Sequence, residues 1–235
     1  MAVPRVWFPI FPVVRVIGIV VTVLVLVWTV HYRGGLALIS ENKDLIFNVH
    51  PVLMVVGLVI LNGEDFCSNA SIQERVRNKK LQKVSSPFPA IPGFLFEHHW
   101  LWAAWKFHID KGIDNFYSLH SWLGLACLLL FGVQWAAGFV TFWYPGGSRN
   151  SRASLLPWHV FLGIYIYALA IATCTTGFLE KATFLQTNKV ISRYSMEALL
   201  VNSLGILIVV LAGFVILGVV APVYGKGDVP KGIAE

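Results

Sequence analysis

The chain of 235 residues is 57% hydrophobic and only 13% charged, with a mean hydropathy of +0.70. That composition excludes an ordinary soluble domain and fits a polytopic membrane protein. The net charge of +6 requires no nucleic acid. Cys67, Cys127 and Cys174 are too few and too scattered for a disulfide framework or a thiolate metal motif.

In chain order, apolar windows of roughly 20 residues, enough to cross a bilayer, are expected at 12–30, 45–61, 119–143, 158–179 and 198–221. The first is longer than the apolar core of a secretory signal and runs into His31-Tyr32-Arg33, a poor cleavage site, so it is expected to be retained. A sixth window, 92–105, is short and interrupted by Glu97, His98 and His99, and reads as a compromised span. Trp143 and Tyr144 close one window before Pro145-Gly146-Gly147, and Trp158 opens the next, as aromatic anchors at headgroup level do. The expected fold is all-α: one domain over 1–235, a polytopic six-helix bundle whose third helix is compromised.

Six spans with a cytosolic N-terminus put Arg5, Arg15, Arg75, Arg77, Lys79, Lys80, Lys83, Arg149, Arg152, Lys226 and Lys231 in the cytosol. Arg33, Lys43, Lys106, Lys111, Lys181, Lys189 and Arg193 then fall on the other side. This modest positive-inside bias favours both termini inside.

His50, His120 and His159 each stand within about a turn of the start of an apolar stretch, where an imidazole is costly unless something binds it. If spans alternate in direction, the second and fourth enter from the non-cytosolic face, so His50 and His120 share one depth. His159 then lies near the cytosolic face. Two imidazoles at matched depth on neighbouring helices are what a bis-histidine heme requires. Zinc suits the pattern less well, because it takes four ligands, commonly with thiolates or carboxylates. Two other readings compete. Each histidine can simply hydrogen-bond a neighbouring helix, worth about 0.6 kcal/mol, or the three can relay protons in a heme-free transporter.

Lys79, Lys83, Arg149 and Arg152 line the expected cytosolic mouth, where they would concentrate and orient an anion. Positive-inside bias alone accounts for them equally well. His108 lies in a short polar loop with Asp110 and Lys111, where a solvated histidine is the ordinary state.

The strings His31-Tyr32-Arg33-Gly34-Gly35, Phe47-Asn48-Val49-His50-Pro51, Lys106-Phe107-His108-Ile109-Asp110, Tyr117-Ser118-Leu119-His120-Ser121-Trp122 and Pro157-Trp158-His159 resemble plant cytochrome b561. The resemblance runs from the first span to the last, with one stretch excepted. It implies six helices and two b hemes, one near each face. It also implies an ascorbate-dependent transmembrane reductase, carrying electrons from cytosolic ascorbate to monodehydroascorbate or ferric chelates on the far side. His50 and His120 would hold the iron of the non-cytosolic heme, and His159 would be half of the cytosolic one. Asn115, Phe116, Tyr117 and Ser118 would line the first heme, with Glu180 as a weaker contact. Phe107 and His108 would form the far-side substrate site, and Arg152 with the loop lysines Lys79 and Lys83 the cytosolic ascorbate site, beside Arg149 of the expected basic mouth. An endomembrane or vacuolar membrane, surrounding lipid and a homodimer are all compatible with it.

From about Asp65 to Trp100 the family pattern stops, and with it the third-span histidine that should face His159. Ser85-Ser86-Pro87-Phe88-Pro89 stands where that helix should start, although two prolines break a helix interior. A one-base shift of reading frame accounts for the departure. If Ser86-Pro87 is encoded TCA-CCN, reading one base later gives CAC, a histidine codon. Extended from Ser71 to Trp100, the same shift permits a stretch resembling a family third helix, with glycine forced at the Trp100 codon and Ile or Thr forced at His98-His99. In the chain as written the cytosolic heme is expected to be weak or absent, and a non-functional product is the remaining alternative.

Overall fold

The computed structural model describes residues 10–67, 105 and 107–220. Five helices are long and apolar enough to cross a membrane: α1 (Ile10–Tyr32), α2 (Lys43–Cys67), α3 (Leu119–Trp143), α4 (Arg149–Thr187) and α5 (Met196–Val220). A short helical turn covers 107–111, and no strand occurs among the described residues. Each of the five expected apolar windows is therefore helical over its described residues. The sixth, 92–105, lies outside the described residues except for Trp105.

Four of the five helices, α1, α2, α4 and α5, share the main core, in which Val21, Val25, Val59, Leu204 and Ile208 are fully enclosed. Helix α3 packs along α4 over a smaller cluster of Leu58, Cys127, Ile166 and Ala170. Small residues permit that approach, as expected where lipid provides no hydrophobic drive between helices. A Cβ on Gly163 would lie 3.0 Å from Gln134 Nε2, and one on Gly124 would lie 3.4 Å from Thr173 Cγ2. Polar side chains inside α4 are satisfied locally: the hydroxyls of Thr173, Thr175, Thr176 and Thr183 each donate to the carbonyl four residues back.

Helix α4 departs furthest from the window read in the sequence. Its 39 residues extend about 58 Å at 1.5 Å per residue, against an apolar layer of about 30 Å. The window ended at Leu179 because Glu180 and Lys181 look like loop charges, yet the helix carries both onward to Thr187. At the other end the helix begins at Arg149, so His159 stands well inside it. Pro157 gives up one backbone donor without ending the helix.

The end of the bundle where α1 finishes is tied by a buried polar network. Trp28 Nε1 donates to Glu197 Oε1 at 2.9 Å, and Arg33 Nη2 donates to Glu197 Oε2 at 2.5 Å. The ion pair is only 17% and 5% exposed at its two side chains. Asn48 Nδ2 donates to the carbonyls of Arg33 and Gly35, at 3.0 and 2.9 Å, fixing the start of α2 against the exit of α1. Gly34 and Gly35 have φ of +85° and +120°, a region open to glycine, which lets the chain reverse there. Arg33 reads in the sequence as a loop charge; in the fold it is the partner of a carboxylate on α5.

Glu197→Leu strands the Arg33 guanidinium and removes the Trp28 acceptor, and should destabilise the protein by about 3–5 kcal/mol. Glu197→Leu combined with Arg33→Met should cost less than Glu197→Leu alone. Thermal unfolding of the detergent-solubilised protein measures both.

Candidate heme-binding site

Two chain segments bring His50 and His120 together. His50 follows Asn48, whose amide anchors the start of α2, and precedes Pro51; beyond Pro51 the helix widens into π turns from Met54 to Leu61. His120 is the second residue of α3, whose start is set by Ser118: its hydroxyl accepts from the Ser121 amide at 3.3 Å. The two imidazole rings lie with centroids 6.1 Å apart and planes at 84°. Two imidazole nitrogens bound to opposite sides of one metal, each about 2 Å from it, put ring centroids about 6 Å apart.

The His120 ring is held from behind. Its Nδ1 lies 2.9 Å from the Thr173 carbonyl of α4. A carbonyl can only accept, so Nδ1 carries the proton and Nε2 keeps its lone pair, the tautomer a metal ligand needs. One turn further along α4, Gly177 makes room for the ring: a Cβ there would come within 2.8 Å of His120 Cε1.

Both histidines line a cavity of about 820 Å³. Its walls are mostly apolar, with Trp28 from α1, Leu58 from α2, Leu125 from α3 and Phe178 from α4 among them. Asn115, Phe116 and Tyr117 line it from the segment before α3, and Glu180 from α4. Tyr117 donates to Glu180 Oε1 at 2.6 Å. Burial and that carboxylate together raise the Tyr117 phenol well above its usual range, so it stays a neutral donor. Glu180 Oε2 is buried without a hydrogen-bond partner among the described residues. Of the residues expected around the first heme, Ser118 alone has a clear helix-capping role instead.

Phe107 and His108 line the same cavity. Phe107 is buried, its ring 4.6 Å from that of Phe47, and Phe47 in turn sits 6.1 Å from the His50 ring. The residues expected at a far-side substrate site thus share one space with the histidine pair.

The other end of the bundle holds His159, Arg149 and Arg152. The His159 ring meets α3 at Gly138, where a Cβ would lie 2.9 Å from its Cε1, and packs 5.6 Å from the Phe142 ring. No second histidine reaches it among the described residues. Arg149 and Arg152 are exposed on the first turn of α4, which Ser148 caps, and Arg152 Nε donates to the Gly147 carbonyl at 3.0 Å. Lys79, Lys83, His98 and His99 lie outside the described residues.

The arrangement around His50 and His120 fits a flat apolar cofactor whose metal both imidazoles would hold. The ring spacing leaves room for one metal, Gly177 admits the ring, and no cluster of three or more histidine, cysteine or carboxylate side chains forms a metal cage among the described residues. The sequence reading missed Thr173, Gly177 and Gly138, which position the rings, and Lys181, which lies on the cavity wall. A glycine or threonine in an apolar helix has no distinguishing mark until the facing helix is known.

Comparison with known proteins agrees with this chemistry. The family model for eukaryotic cytochrome b561 matches residues 49–185. The chain is 66% identical over 230 residues to transmembrane ascorbate ferrireductase 2 of Arabidopsis thaliana, an alignment covering 97% of this chain and 99% of that protein. It is 42% identical over 205 residues to transmembrane ascorbate ferrireductase 1 of the same plant, covering 87% and 84%. A lysosomal membrane ascorbate-dependent ferrireductase of Danio rerio is 36% identical over 216 residues, covering 88% and 84%. The chain belongs to the eukaryotic cytochrome b561 family, a family of heme-binding, multi-pass membrane proteins.

Proposed function

We propose that this protein is an ascorbate-dependent transmembrane oxidoreductase. It takes single electrons from cytosolic ascorbate and delivers them to monodehydroascorbate or a ferric chelate on the far side, using b heme held by His50 and His120. The observation that carries this reading is the pair of imidazoles 6.1 Å apart on one cavity, in a chain whose relatives are named ascorbate ferrireductases. His50 and His120 would hold the heme, which would supply a reversible one-electron couple.

The chain's own residues do the rest. Thr173 fixes the His120 tautomer, and the apolar walls from Trp28, Leu58 and Phe178 limit water around the site, both of which tune a bound metal. Phe107 and His108, on the same cavity, are the residues an acceptor would meet. Arg149 and Arg152, exposed at the opposite end, attract the ascorbate anion, and Lys79 and Lys83 belong to the same proposed mouth. The histidine pair lies at the non-cytosolic face in the topology set by the basic residues, and the membrane is an endomembrane or the vacuolar one.

The stretch from about Asp65 to Trp100 is read as translated out of frame, which removes the imidazole that His159 requires. The chain as written then holds the His50/His120 heme well and the cytosolic heme weakly or not at all, so transmembrane transfer is impaired. An in-frame transcript encoding the segment as written would remove this explanation.

Purified protein should show a b-type band in its reduced-minus-oxidised spectrum on adding ascorbate, and His120→Ala should abolish the His50/His120 contribution. An unchanged spectrum in His120→Ala would overturn the assignment. Gly177→Ala should lose most of that heme, because the added methyl occupies the place of the His120 ring; Gly213→Ala, with nothing within 4 Å of its Cβ, should not. Pyridine hemochrome assay should find about one heme per chain, and two fully occupied hemes would contradict the reading of His159.

A further inference from the structure

Among the described lysines and arginines at the His50/His120 end of the bundle, Lys181 is the one that lines the cavity. Arg33 pairs with Glu197, Lys43 approaches Asp110 at 3.9 Å and Lys111 approaches Asp44 at 3.5 Å. Lys181 has no carboxylate within ion-pair distance among the described residues, and its neighbour Glu180 is engaged by Tyr117. It follows Gly177 by four residues on α4, so it leaves the helix on the face that cradles the His120 ring. Its side chain lines the cavity.

The Lys181 ammonium lies against aromatic rings, with Asp44, Arg33, Lys111 and Glu197 the charged groups that act on it from beyond ion-pair distance. Nζ lies 4.4 Å from the centroid of the Phe47 ring and 6.0 Å from that of Phe107. Such contacts return about 0.5–2 kcal/mol, whereas moving an ammonium out of water costs several kcal/mol. The rings hold the cation in place without neutralising it. A lysine kept beside two phenylalanines, facing a cavity, is a site prepared for an anion.

We infer that Lys181 is an anion-binding residue of the His50/His120 cavity, taking a carboxylate or enolate oxygen. The inference rests on the heme reading above and assigns one more residue to that site. Two sources supply such an oxygen: a propionate of the bound heme, or the anionic electron acceptor arriving at Phe107 and His108. Either way, the positive charge stabilises the anion at a mostly apolar wall, which offers it few other polar partners.

The test uses full-length protein in detergent, reduced with ascorbate, as wild type, Lys181→Gln and Lys181→Arg. Heme per chain and midpoint potential are measured first. Oxidation of the reduced protein by stopped flow then follows with two one-electron acceptors of opposite charge, the ferricyanide anion and the hexaammineruthenium(III) cation. If the acceptor is the anion, Lys181→Gln keeps its heme, its rate with ferricyanide falls about tenfold and its rate with hexaammineruthenium(III) rises. If a propionate is the anion, Lys181→Gln loses heme or lowers the midpoint potential, and its rates with the two acceptors move in the same direction. In both cases Lys181→Arg, which keeps the charge, restores most of the wild-type behaviour. Lys181→Gln matching wild type in heme content, potential and both rates overturns the inference, as does Lys181→Arg failing to the same extent as Lys181→Gln. Wild-type protein without a heme band removes the functional reading and this inference with it.

Discussion

An imidazole carried into apolar helix packing needs a partner for each of its nitrogens, and the His50/His120 end of this bundle is arranged around that need. His120 meets half of it through the Thr173 carbonyl on α4, which fixes the proton on Nδ1. Its other nitrogen belongs to the cavity it shares with His50. Several features follow from holding that ring in place. Residue 177 must be a glycine, since any Cβ would collide with the ring. Ser118 must start α3 just before His120, so that the ring emerges on the first turn. The segment before α3 must turn sharply, and it does so through Gly112 and Phe116, with φ of +65° and +57°, which brings Asn115, Phe116 and Tyr117 onto the wall.

The same end concentrates the polar chemistry of the bundle. Glu197 is buried on α5 yet satisfied twice, by Trp28 and Arg33, and Trp28 also forms part of the cavity wall. Its ring packs 5.6 Å from Phe178, which lines the cavity from α4. The ion pair that ties α1 to α5 therefore supports the wall of the histidine site as well. Lys43 approaches Asp110 and Lys111 approaches Asp44 nearby. Lys181, by contrast, has no carboxylate within ion-pair distance among the described residues and lines the cavity next to Glu180.

The two ends of the bundle differ in kind. At one, two helices each contribute an imidazole to a shared space. At the other, His159 has a glycine cradle on α3 and an aromatic neighbour, and the exposed Arg149 and Arg152 begin α4 nearby. The length of α4, well beyond a bilayer's apolar layer, lets one helix present Arg152 and His159 at one end and Thr173, Gly177, Glu180 and Lys181 at the other. It is the element common to both.

Composition and hydropathy by themselves determined that this is an all-helical membrane protein. The five windows were legible because a span needs an uninterrupted apolar run whatever its neighbours are. The sequence also singled out His50 and His120 as a pair, since an imidazole in such a run is costly and alternating spans put those two at one depth. Only the tertiary structure decided how the rings are held. Thr173, Gly177 and Gly138 are ordinary helix residues until another helix faces them. Arg33 and Lys181 read as loop charges because local sequence cannot show that α4 continues past Glu180, or that a carboxylate on α5 waits for the guanidinium. Spans depend on the transfer of each segment into lipid, which is local; ring placement, tautomer and ion pairing depend on contacts between residues far apart in the chain.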